Sequence, residues 1–115
     1  DFSSVITLPR WLPPAGVGPA LVSEWGVFRE ALEVHEKGHR NIGASAVREI
    51  QRTLRMMESF SCEYLSERAN REARRIMDRH KELNKEYDRL TDHGKAQGAT
   101  WPPPNRRGMV RGRSG

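Results

Sequence analysis

Leu21, Trp25, Phe28, Leu32, His35, His39, Ile42, Ala46, Ile50, Leu54 and Met57 recur every three or four residues, and this single apolar stripe commits about a third of the chain to one long amphipathic helix. Pro19, after the Pro/Gly loop Trp11–Gly18, is well suited to the helix start, because its missing N–H would have no intrahelical partner there. Gly26, Gly38 and Gly43 fall inside the stripe. Each costs ~1 kcal/mol against Ala in a helix interior, so they mark bends or places where another part of the chain comes close. The stripe breaks near Ser59–Ser61, which supplies a cap for a second helix. A second stripe then runs through Leu65, Ala69, Ala73, Ile76, His80, Leu83, Tyr87 and Leu90 and should end at Gly94, a natural left-handed residue. Two long helices joined by a short turn pack antiparallel, since no other arrangement buries both stripes. Ahead of them, Ser4–Leu8 is β-branched and apolar and reads as one short strand stopped by Pro9. Its partners are expected to precede Asp1. The fold class is mainly α, a long antiparallel helix pair with one short N-terminal β-strand.

At 115 residues this is one domain or part of one. The formal charge of +5 is concentrated at the end: without Arg106, Arg107, Arg111 and Arg113 it falls to +1. The basic balance therefore belongs to a tail, no aromatic residue is interleaved with those arginines, and no nucleic-acid partner is expected. Residues 1–104 form the domain and 105–115 a flexible basic tail. The one cysteine, Cys62, excludes a disulfide within the chain. No segment approaches the ~20 apolar residues of a membrane span, and no signal peptide is visible at Asp1.

The segment His35-Glu36-Lys37-Gly38-His39 is an HExxH motif set on the first stripe. Residues i and i+4 lie one above the other on a helix, so two imidazoles can address one zinc ion. Glu36, about 100° around the helix from His35, can sit beside a zinc-activated water and act as general base. Shuffling this composition yields roughly 0.01 such segments per chain. The plainer alternative is a pair of interior histidines satisfied by backbone or carboxylates. A catalytic site needs a third ligand and an open position. His80, on the second stripe, and His93, near the end of the second helix, both satisfy the geometry of antiparallel packing. Glu86 and Asp88 are carboxylate candidates, although helix carboxylates more often form a solvated face.

HEKGH together with Tyr87-Asp88-Arg89-Leu90-Thr91-Asp92-His93-Gly94-Lys95-Ala96-Gln97-Gly98-Ala99 resembles the DUF922 family, bacterial proteins described as secreted zinc-dependent proteases, whose pattern is HExxH followed by YDxxTxHGxxQGA. The resemblance extends over about residues 5–103, including the lead-in Ile6–Trp11. It implies His93 as the third zinc ligand, with Tyr87, Asp88 and Thr91 supporting the metal or facing the substrate, and Gln97 and Gly98 shaping a turn beside the site. It also implies secretion or a cell-envelope location. Family members carry more β-structure ahead of the strand, so the chain reads as an N-terminally truncated α+β zincin-like domain.

The expected function is that of a zinc-dependent peptidase acting on a peptide or protein substrate, with His35, His39 and His93 as ligands and Glu36 as base. The alternative is a non-catalytic helical interaction or dimerisation module, with or without a structural metal.

Overall fold

The computed structural model of the chain describes residues 2–58 and 61–103. Helix α1 spans Pro19–Arg55 and helix α2 Cys62–Thr91, and a single 3₁₀ turn follows at Lys95–Gln97. The mainly helical expectation holds. Pro19 opens α1, where the Gly18 carbonyl accepts N–H bonds from Leu21 and Val22. Arg52 and Arg55 occupy the last turn, where positive charge complements the helix dipole. Ser61 caps α2 twice: its Oγ accepts the Tyr64 N–H at 3.1 Å and its carbonyl accepts the Leu65 N–H at 3.0 Å.

The expected strand at Ser4–Leu8 does not form, and no strand occurs among the described residues. A β-branched segment becomes a strand only when a neighbour completes its hydrogen-bond ladder, and here none does. Val5 is 91% exposed. Arg106, Arg107, Arg111 and Arg113, and with them the proposed 105–115 tail, lie outside the described residues.

The chain divides into two compact units, and both helices run through the division. One unit comprises Gly38–Tyr87 with the leading residues up to Ser4. Within it, His39 meets Asn84, while Glu49 meets Arg79 and His80. Advancing along α1 thus means retreating along α2, which is antiparallel packing. Ile76 is completely buried, and Ala46 and His80 are buried as well. His80 is satisfied by donating Nδ1–H to the Ile76 carbonyl at 2.8 Å, while its Nε2 lies 3.7 Å from Glu49.

Arg79, through its hydrogen bond, holds the Glu49 carboxyl below the usual carboxylate range, and the charges of His80 and Arg52 add to the effect. A depressed carboxylate stabilises the fold fully above its unfolded value and loses that contribution as pH falls through the folded one. The thermal midpoint should therefore decline below about pH 4. Glu49→Gln should flatten that limb; melting curves between pH 3 and pH 7 are the measurement, and an unchanged acid limb would refute the assignment.

The other unit comprises Val5–Lys37 and the residues from Asp88 onward. After α2 the chain turns back along the first half of α1. Gly98 abuts Ala31, and Trp101 joins Trp25, Phe28 and Trp11 in a cluster with ring centroids 5.0–6.5 Å apart. The reversal is made by three successive left-handed residues, Asp92, His93 and Gly94. Their amides remain satisfied: His93 N–H bonds the Asp88 carbonyl at 2.8 Å and Gly94 N–H the Thr91 carbonyl at 3.1 Å. Helix α2 accordingly stops at Thr91, three residues before the glycine that the sequence marks as its end.

Candidate metal centre

His35 is 3% exposed, and both of its ring nitrogens have partners. Nδ1 lies 2.8 Å from the Gln97 side-chain oxygen and 3.3 Å from Thr91 Oγ1. Nε2 lies 3.1 Å from Asp88 Oδ1. An amide oxygen only accepts, so the Gln97 contact places the proton on Nδ1. In neutral His35 the Nε2 lone pair then faces a carboxylate oxygen, and two acceptors in contact require a positive species between them. A proton on the ring supplies it; so does a metal cation.

The turn after α2 is shaped to this ring. Gly94 has φ +92°, and a Cβ there would lie 3.0 Å from His35 Cγ and 3.2 Å from the Ala99 methyl. Only glycine combines that backbone conformation with so close an approach. The 3₁₀ turn it begins places Gln97 over Nδ1, and Thr91, which accepts the Gly94 N–H at 3.3 Å, reaches the same nitrogen.

His39 follows His35 by one turn of the same unbroken helix, so the helix itself fixes one ring relative to the other. Its Nδ1 is 2.8 Å from the Asn84 side-chain oxygen, and its ring stands edge-on to Tyr87 at 4.9 Å. Tyr87 in turn lies on Gly38, where it fills the space a Cβ would occupy. His35, Asp88 and, one helical turn along α1, His39 make a candidate ligand group of three. Two imidazoles and a carboxylate form a donor set that suits zinc.

The residues singled out from sequence divide as follows. His35 and His39 lie one turn apart on the unbroken helix α1. Asp88, expected to support the metal or face the substrate, lies against the His35 Nε2. His93 is not in the group: its side chain is 76% exposed, with Nδ1 3.8 Å from the second Asp88 oxygen. The cause is the early end of α2, since His93 sits on a left-handed residue of the reversal and not on the helix face. His80 is engaged with Ile76 and Glu49. Glu36 is half-buried and stands outside the three-residue group, as its angular offset on α1 requires. Tyr87 packs on Gly38 and His39, and Thr91 contacts His35. Cys62 is exposed and free. Sequence reasoning missed Asn84 altogether and gave Gln97 only a turn. Asn84 had one available signal, a small polar amide four residues after His80 and three before Tyr87, beside the inward stripe.

Helical architecture and this site together define a small mainly α protein built around a histidine–carboxylate cluster on an HExxH helix. The chain belongs to DUF922, a family described as bacterial protein of unknown function, whose model matches residues 1–94. The match contains HEKGH and ends at Gly94, just before the turn that carries Gln97. No curated protein matches the chain, and no solved structure does. Among the described residues, no helix is long and apolar enough to cross a membrane.

Proposed function

We propose that the chain is a zinc-dependent peptidase-like domain that uses His35, His39 and Asp88 to hold the ion and Glu36 as general base. One observation carries the reading: the Asp88 carboxylate of α2 lies 3.1 Å from the Nε2 of His35 on α1, the helix that presents His39 one turn later. Asp88 replaces His93 as third ligand because it already meets the imidazole, whereas His93 stands largely in solvent. Bound there, zinc would supply Lewis acidity to polarise a peptide carbonyl and bring the pKa of water toward about 7. Glu36 accepts the proton of the attacking water and returns it to the leaving amine. Thr91 and Gln97 hold the His35 ring, and Tyr87 and Asn84 hold that of His39. The substrate is a peptide or protein, and the family resemblance favours secretion or the cell envelope.

Metal analysis tests the ligand set. The purified chain should carry one zinc, Asp88→Ala should lower its affinity at least tenfold, and His93→Ala should leave it within about twofold. The opposite ranking would return His93 to the ligand set. Zinc uptake without hydrolysis of any peptide would favour the alternative, a metal-stabilised interaction module.

A further inference from the structure

We propose that Asn84 and Gln97 are positioning residues that select the metal-binding nitrogen of the two motif histidines. Each imidazole has two nitrogens, and in its neutral form one carries hydrogen while the other carries the lone pair that can bind a cation. On both histidines the same nitrogen, Nδ1, lies 2.8 Å from a side-chain amide oxygen. Gln97 supplies it for His35 and Asn84 for His39. Neither oxygen can donate, so each clamp draws the proton to Nδ1 and leaves the lone pair on Nε2. On His35 that is the nitrogen already facing Asp88.

The two clamps arise separately. Asn84 stands on α2, one turn before Asp88, and its partner is on the second half of α1. Gln97 comes from the 3₁₀ turn, which Gly94 and Gly98 bound with left-handed backbone, and its contact with His35 spans 62 residues of sequence. An amide on two unrelated elements, each meeting Nδ1 and each at 2.8 Å, exceeds what filling the gap beside a histidine requires. An apolar side chain would fill it as well. The amides add orientation: they fix the ring about its χ2 axis and fix its tautomer, so no rearrangement accompanies metal entry. Thr91 Oγ1, at 3.3 Å, backs the Gln97 clamp and not that of Asn84.

The inference rests on the zinc reading for its effect on affinity, but not for its effect on tautomers. Nitrogen-15 histidine NMR of the metal-free full-length chain should show hydrogen on Nδ1 of both His35 and His39. Gln97→Leu should disturb His35 alone and Asn84→Leu His39 alone. His80, whose Nδ1–H is held by the Ile76 carbonyl, reports in each variant that the fold persists. Competition with a colorimetric chelator should show zinc binding weakened about 10–100-fold by each Leu variant. Gln97→Glu and Asn84→Asp, which keep an acceptor in place, should stay within about threefold of wild type. Unaltered zinc affinity in both Leu variants, or Nε2–H tautomers in the wild-type protein, would overturn the proposal and leave the zinc reading standing. Wild-type protein that takes up no zinc, while each tautomer still answers to its own amide, would support the clamps and overturn the zinc reading.

Discussion

Glu36→Gln should keep zinc at wild-type affinity and lose about 100- to 10,000-fold in peptide hydrolysis, the range that a single general base contributes. The substitution preserves shape and helix propensity and removes only the ability to take a proton. It leaves the ligand group untouched, because Glu36 does not belong to it. His35→Ala should differ in kind. His35 is buried and links Asp88, Thr91 and Gln97, so its loss removes a proposed ligand and three polar contacts within the unit. That variant should lose zinc and hydrolysis together and melt at a lower temperature. Initial rates on a quenched fluorescent peptide mixture, with zinc content measured on the same samples, separate the two behaviours. Wild-type rates in the Gln variant would remove Glu36 from the chemistry. Loss of zinc in that variant would mean that Glu36 is a ligand.

How much of this was readable beforehand depends on the range of the interactions. Local, periodic features were legible: the apolar stripes gave two helices, Pro19 gave the start of α1, and Ser61 gave the cap of α2. The pairing of His35 with His39 was legible for the same reason, since a single helical turn relates them. The strand failed because Ser4–Leu8 shows propensity without partners, and propensity alone does not make a ladder. That Asp88 and not His93 would stand beside His35 was hidden by a matter of three residues. The pattern YDRLTDHG invites continuation of the helix to its glycine, which would put His93 on a helix face. Asp92 and His93 adopt left-handed backbone instead, a conformation open to aspartate, asparagine and histidine more than to most residues. Once the helix stops at Thr91, Asp88 is the donor that faces His35. The clamps were hidden for the remaining reason. Contacts across 45 and 62 residues follow from packing and leave almost no local trace.

The glycine inside the motif yields the other large effect. Gly38 lies in the interior of α1, where alanine would ordinarily add ~1 kcal/mol of stability. Here a Cβ would lie 2.0 Å from the Tyr87 hydroxyl oxygen, 2.3 Å from its Cζ and 2.9 Å from its Cε1. Three atoms are involved, two of them in the ring, so a small hydroxyl adjustment does not relieve the clash and the whole ring must move. Overpacking of this sort costs about 1–3 kcal/mol, which outweighs the helix gain. Gly38→Ala should therefore destabilise the protein by up to about 2 kcal/mol net. Tyr87 also stands edge-on to His39, so the displaced ring should weaken zinc binding as well. Truncating the tyrosine should reverse the sign. In a Tyr87→Ala background the obstacle is gone, and Gly38→Ala should stabilise by ~1 kcal/mol. The coupling between the two positions would then be about 1–3 kcal/mol, within the range for residues in contact. Urea unfolding of the four proteins closes the cycle. A Gly38→Ala variant as stable as wild type, with additive behaviour in the double variant, would show that Tyr87 is not seated on the motif helix in solution. The glycine of HEKGH would then need another explanation.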